Sequence, residues 1–466
     1  MGFLSQNNVR FINREAETRH IRRVIASSGP SILGLHGPGG IGKTVLSWWT
    51  MDECVRQSLP CAYIDLGQFT FTDSVDVLRE IAGQLDRSRQ LVDFWELLSI
   101  YHSHFQSRFL GTGIHSTLLP ADFSKVRQSV MDSFIVGLQR VIGSQAFVLI
   151  FDNLDAIGKP DRHRLEAEIF VPLGALNQAK VIVVSRGPVQ WQNPVLESNY
   201  QTLHLLPFDE DYAIDLTRQL WPELLERESF LQALKVSKGH PYSVVRLTKA
   251  GKRYASLDEP ELYQKLLEEL WVNVISRFML RGVSAVLQRF LAQISVVRFF
   301  DVSSFKYFSL RVNLLTEARI SQLIETLDTL NYDISAVRFD GTQKGYRLQP
   351  PIRPVSLELH RISKTLETLN QIALEFYTDY VKRLPPGYDE WRRCVIEMIY
   401  HHSMIGQKPQ EAKNRLAEAL AELLAAKDLE AAIKLRDELS SDSDLPPMLW
   451  QDIFTYFQNR KLRGVA

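Results

Sequence analysis

Eight consecutive residues, Gly37-Pro38-Gly39-Gly40-Ile41-Gly42-Lys43-Thr44, match GxxxxGK[ST] in full. Such glycines let backbone N–H groups close around phosphate oxygens without Cβ clashes, and a helix starting at Lys43 adds a favourable dipole. Pro38, Gly39, Gly40, Ile41, Gly42 and Val45 belong to this cradle. Lys43 is placed to reach the β- and γ-phosphates, and the Thr44 hydroxyl to ligate Mg²⁺. The implied ligand is ATP or ADP with Mg²⁺. A second signal is FVLIFDNLD, Phe147–Asp155. It sets Asp152 at the end of an apolar run, where a carboxylate holds the Mg²⁺ shell. The next position, where a second acid would activate water, is Asn153. Asp155 either stands in for that acid or caps the following helix. A third signal, KVIVVSRGP, carries Arg186 out of an apolar run, in a position to read the γ-phosphate.

These groups require a sheet that brings separate strand ends together. Ser31–His36, Cys61–Leu66, Phe147–Phe151 and Lys180–Val184 are short apolar runs, and Gln201–Leu205 is a candidate fifth. Helical spacing is expected between them, over Lys43–Gln57, Asp73–Leu85 and Lys125–Ile142, with a further amphipathic helix within Phe11–Ser28. Continuous apolar strands alternating with helices predict a parallel sheet covered on both faces. Residues 87–123 read as an insertion without assigned structure.

Beyond Asp209 the pattern is mostly helical. Thr316–Leu330 has one apolar face, and Ile334–Phe339 and Tyr346–Leu348 flank a DGTQKG turn, a hairpin signal. Helices followed by a small hairpin suggest a winged helix. The fold class is thus multidomain α/β plus α. The expected divisions are 1–206 (P-loop nucleotide-binding domain), 207–272 (helical lid), 273–356 (winged helix) and 357–466 (C-terminal, repeat-like helical region).

The 466 residues carry 54 Lys+Arg against 54 Asp+Glu, for a net charge of zero. This argues against a chain coated for nucleic acid or acidic membrane. Three cysteines make neither a disulfide framework nor a zinc set. No apolar run reaches the roughly 18 residues of a membrane span, and no signal peptide begins the chain, so a cytoplasmic protein is expected. The pairs His401-His402 and His102/His104 lack metal partners at the right spacing.

Taken in order, FINRE (Phe11–Glu15), the glycine loop, FVLIFDNLD, VVSRGP, LHLLPFDEDYAIDL (Leu203–Leu216) and GHPYSVVRL (Gly239–Leu247) resemble the STAND class of P-loop NTPases. These are the signal-transduction ATPases of apoptosome proteins, plant disease-resistance proteins and bacterial regulators. The resemblance spans about Arg10 to Pro354. It implies that Ile12 and Arg14 contact the adenine, although Arg14 also reads as a first-turn surface charge. It places Pro241 against base or sugar, with a plain interhelical proline as the alternative. A family histidine that contacts the ADP β-phosphate falls at Gln349, which is uncharged and equally reads as a hairpin-edge residue.

The implied function is a signalling or innate-immunity switch. It would be closed with ADP, oligomerise with itself when ATP-bound, hydrolyse slowly, and meet an upstream signal or effector protein through the C-terminal helices. An AAA-like ATPase using its winged helix on DNA is one alternative, and a non-hydrolysing nucleotide-bound scaffold is another. Glu317, Glu325 and Asp328 on the third helix argue against DNA, while Arg338, Lys344 and Arg347 on the wing keep it in view.

Overall fold

The computed structural model describes residues 14–29, 31–67, 74–86, 89–109, 120–312, 320–340, 345–406, 409–442 and 444–445. Ile12, Glu317 and Lys344 lie outside them. The chain forms two compact units. The first comprises Met1–Pro222 with Gly239–Val245 and Tyr332–Ser335; the second comprises Glu223–Lys238, Arg246–Asn331 and Ala336–Ala466.

The first unit is built on five parallel strands: β1 (Ser31–His36), β2 (Cys61–Asp65), β3 (Phe147–Asp152), β4 (Ala179–Ser185) and β5 (Tyr200–His204). Their order is β2-β3-β4-β1-β5. β3 and β4 are buried along their whole lengths, which is why they read as unbroken apolar runs rather than alternating ones. Alternate residues nevertheless enter different cores. Val148 and Ile150 pack with α1 (Glu15–Ala26) and α2 (Lys43–Arg56) on one face. Phe147, Leu149 and Phe151 pack on the other with α3 (Ser74–Leu85), α4 (Val92–Phe109) and α5 (Pro120–Ile142). This is the period of two expected of pleated strands.

β4 lies between β1 and β3, with Leu35 opposite Val184 and Phe151 opposite Val183. The strand order therefore brings three carboxyl ends together: the glycine loop after β1, Asp152 on β3 and Arg186 after β4. Ligands of open α/β sheets bind at such ends. Within 87–123, where the sequence predicts an insertion of no assigned structure, the chain forms α4, whose Phe94, Leu98 and Tyr101 are buried. Between β3 and β4, α6 (Lys159–Leu165) continues through a π-turn, Glu166–Phe170. After β5 come α7 (Glu210–Leu220) and α8 (Pro241–Arg253), the latter beginning in this unit.

The described part of the second unit is mostly helical. It includes α9 (Glu259–Glu269), α10 (Ala285–Ile294), α11 (Val302–Arg311) and α12 (Ile320–Asp328), the described part of the helix expected at Thr316–Leu330. A hairpin follows, of β6 (Val337–Asp340) and β7 (Gly345–Leu348), antiparallel with Arg338 opposite Arg347. Beyond it come α13 (Ile352–Ile362), α14 (Leu366–Val381), α15 (Asp389–Met404), α16 (Pro409–Ala425) and α17 (Leu429–Ser440). Among the described residues no helix is long and apolar enough to cross a membrane.

Candidate nucleotide site

The glycine loop turns from β1 into α2 through backbone conformations that side chains disfavour. Gly42 has φ +102 and stands as the N-cap of α2. Gly40 has φ +82, and a Cβ there would lie 2.8 Å from both His240 and Tyr242. Lys43, Thr44 and Val45 form the first turn of α2, whose early N–H groups have no intrahelical acceptor and point at any anion in the loop. The Lys43 Nζ donates to the carbonyls of Gly37 (2.7 Å) and Pro38 (3.0 Å). Burial pulls its pKa down to about 8; Asp155 and Asp152 oppose that shift, and Arg186 adds to it.

Asp152 is fully buried. Its carboxylate accepts from the Tyr63 hydroxyl and from the Asn153 N–H, each at 2.8 Å, and is hydrogen-bonded to Thr44. Burial raises its pKa, against the pull of Thr44, Tyr63, Asn153 and Lys43. The Thr44 hydroxyl and the Asp152 carboxylate are adjacent hard oxygen donors. That pair fits Mg²⁺, which keeps several waters and takes one or two protein oxygens alongside phosphates. Thr44 and Asp152 would hold it.

Asn153 sits in the left-handed region, φ +59, a conformation its short amide tolerates. Its Nδ2 donates to Asp65 Oδ1 at 2.8 Å, and the Gly67 N–H donates to the same oxygen at 3.0 Å. Asp155 does not cap a helix: Asn153 occupies the N-cap of the short 3₁₀ turn and Gly158 that of α6. Its carboxylate instead takes the backbone N–H of Arg186 at 3.0 Å and pairs with the Arg186 guanidinium at 3.2 Å. The Arg186 carbonyl accepts from the N–H of Gly37 at 3.1 Å, tying this pair to the loop's first residue.

On the flank, Arg14 is 8% exposed. It donates to the carbonyls of Leu206 (2.8 Å) and Ile41 (2.9 Å), pairs with Glu17, and lies over the Phe208 ring at 4.8 Å. Most of its hydrogen-bonding capacity is therefore committed to fixing the loop rather than to a base. Pro241 opens α8, where a missing N–H costs nothing.

Sequence reasoning singled out Pro241 but missed its neighbour. His240 is fully buried, with Nε2 2.8 Å from the Gly39 carbonyl and Nδ1 2.8 Å from the Ser243 hydroxyl. A carbonyl only accepts, so Nε2 carries the proton. Burial lowers His240 to about 4, which keeps it neutral at pH 7. The Tyr242 N–H donates to Gly40 O at 3.2 Å. Tyr63 and Asp65 were also missed; nothing local marks them. Gln349 belongs to the second unit, where its N–H donates to Ala336 O and its carbonyl accepts from Ile352 N, both at 2.9 Å.

The structure thus brings Lys43, Thr44, Asp152, Asp155 and Arg186 around the Pro38–Val45 loop, with Arg14 and Pro241 at its side. No family model matches the chain, and no curated protein matches it. Among solved structures it is similar to Drosophila ORC bound to DNA, at 15% identity and a TM-score of 0.36, over 76% of this chain and 96% of that one. An Aeropyrum pernix ORC1 protein in complex with DNA gives 12% identity and 0.36, over 76% and 94%. The Thermotoga maritima RuvB Holliday junction branch migration motor gives 12% and 0.36, over 76% and 95%. This chain's own strand order and glycine loop make the first unit a parallel-sheet α/β domain of P-loop type.

Proposed function

We propose that the chain is a slow, nucleotide-operated switch of the STAND kind. The observation that carries this reading is the Asp155–Arg186 ion pair beside Asn153. Fast hydrolysis needs a group that orients the attacking water and a cation that takes up charge on the γ-phosphate. Here the place for a second acid is an amide held by Asp65, and the two remaining candidates neutralise each other. ATP brings a γ-phosphate that competes with Asp155 for Arg186; ADP brings none and leaves the pair closed. Two nucleotides with different contacts to one element are what a switch requires. Mg²⁺, when bound, neutralises phosphate charge. The chain's own part is to hold the phosphates on the loop N–H groups and Lys43.

In this proposal ADP holds a closed resting state and ATP an open one that self-associates, with hydrolysis as the reset. Residues 207–272 serve as the lid, 273–356 as a winged helix with Gln349 as a phosphate contact, and the C-terminal helices receive the signal. The test is the nucleotide released from denatured protein, resolved by ion exchange. ADP near one per chain supports the resting state. An empty site, or one holding ATP, overturns it.

DNA binding is the second reading, and one observation favours it. Arg338 and Arg347 stand opposite each other on the hairpin, both exposed, although Arg347 has Asp340 at 3.9 Å. Glu325 and Asp328, the acids set against DNA, lie exposed on α12 and not on this hairpin. A steep fall of DNA affinity with salt, lost in the Arg338→Ala, Arg347→Ala double variant, would establish this reading.

A further inference from the structure

Among the described residues, the ends of β2 and β3 and the turn that follows β3 carry the carboxylates Asp65, Asp152 and Asp155. Two of these are occupied. Asp152 takes the Tyr63 hydroxyl on one oxygen and the Asn153 N–H on the other, besides its bond to Thr44. Asp155 is closed on Arg186. Neither has an oxygen to spare for a water.

Asp65 differs. It ends β2 directly opposite Asp152 in the parallel ladder. Opposite residues on neighbouring parallel strands point to one face, with the strands about 5 Å apart. Tyr63, two residues earlier on the same strand, packs into the core shared with α2, which fixes that face as the one carrying Thr44. Asp65 is half-buried. Both of its hydrogen bonds fall on Oδ1, from Asn153 Nδ2 at 2.8 Å and from the Gly67 N–H at 3.0 Å. Among the described residues nothing donates to Oδ2. A Cβ at Gly67 would lie 3.2 Å from Asp65 Oδ1 and 3.3 Å from the Asn153 Cβ, so a side chain there would press on both partners. A turn at the strand end needs only Oδ1. The arrangement fixes the carboxylate by one oxygen and leaves the other open beside the proposed Mg²⁺ ligands.

We propose that Asp65 Oδ2 accepts a hydrogen bond from the water that attacks the γ-phosphate, filling from β2 the role for which Asn153 offers only an amide. The water oxygen bonds to the γ-phosphorus. The bond from phosphorus to the bridging oxygen breaks, and its electron pair stays on ADP. Both water protons leave with the phosphate, as H₂PO₄⁻. Asp65 orients the water and is itself unchanged, and turnover stays slow because Arg186 is shared with Asp155. The inference rests on the nucleotide reading of the glycine loop and names the group behind its hydrolysis.

Asp65→Asn tests it. The variant keeps Oδ1 as acceptor for both donors and changes only Oδ2, from an acceptor into an N–H donor. Calorimetry on the full chain with Mg²⁺ should show ADP affinity within about threefold of wild type. ADP with aluminium fluoride, a mimic of the γ-phosphate under attack, should bind at least about tenfold more weakly than to wild type. Single-turnover hydrolysis of ATP should fall by at least about tenfold. The proposal is overturned if analogue affinity or turnover is unchanged in the variant, or if ADP affinity falls as far as that of the analogue. A wild-type chain that binds ADP, yet neither holds the analogue nor splits ATP, overturns this inference alone and leaves the resting state to the ion-exchange test. A chain that binds neither ADP nor ATP overturns the nucleotide reading with it.

Discussion

At the glycine loop, burial pushes Lys43 down to about 8 and Asp152 upward, each toward its neutral form. At Arg298 in the second unit, burial would also lower the guanidinium, but Glu397 and Asp442 more than offset it. Arg298 bridges both carboxylates and lies over the Tyr400 ring at 4.6 Å. Both clusters bury charge. One balances it from within the protein and one does not. A buried ion whose pKa is pulled toward its neutral form marks chemistry aimed at something the protein must bind, whereas an ion whose burial is offset by its partners marks a joint.

The two clusters should therefore respond to mutation in opposite ways. Arg298→Met leaves Glu397 and Asp442 buried without a counter-charge and should cost about 3–5 kcal/mol, read as a fall in the urea midpoint. Replacing all three by apolar residues of similar size should recover most of that loss. If Arg298→Met alone proves neutral, the joint reading is wrong.

Lys43→Met should reduce ADP and ATP affinity by about a hundredfold, measured by calorimetry. The nucleotide-free protein should be no less stable. The folded lysine loses its proton near 8 and the unfolded one near 10.5. Between those values the unfolded state binds more protons, so wild-type stability should rise with pH across this window, and the variant should lack the rise.

His240→Ala removes the donor that holds Gly39, and nucleotide affinity should fall by about tenfold. His240 is neutral down to about 4 when folded and titrates near 6.5 when unfolded. Wild-type stability should fall as pH drops from 6.5 to 4, and this contribution should vanish in the variant. Asn153→Asp should have the smallest effect. It sets a carboxylate against Asp65 and should cost about 1 kcal/mol in thermal unfolding, while raising the hydrolysis rate several-fold. A rate left unchanged would remove Asn153 from the account of slow turnover.

The strands and the glycine loop were legible because their signals are local. Apolar runs of five or six residues placed β1 to β4 within one residue of their observed ends. α4 was not legible, because Trp95, Leu97 and Ile100 stand between its buried Phe94, Leu98 and Tyr101 and blur the one-sided spacing, and the segment runs toward Gly111 and Gly113. The supporting parts of the candidate site were hidden for another reason. Tyr63 meets Asp152 across 89 residues, Asn153 meets Asp65 across 88, and His240 meets Gly39 across 201. No spacing rule reaches that far; only the strand order brings them together. Asp155 was left open between two roles, and the Arg186 pairing that excludes the cap is itself a contact between the ends of two strands.

The anchoring of Arg14 sets a limit on how the chain can be shortened. One planar guanidinium spans two carbonyls, of Ile41 and Leu206, that lie 165 positions apart in sequence. An expression fragment that starts at β1 would keep every strand and the whole glycine loop, yet lose the clasp on both. Lysine would not restore it, because a single ammonium lacks the planar fork that holds two acceptors at once. Any excised nucleotide-binding fragment has to begin ahead of Arg14.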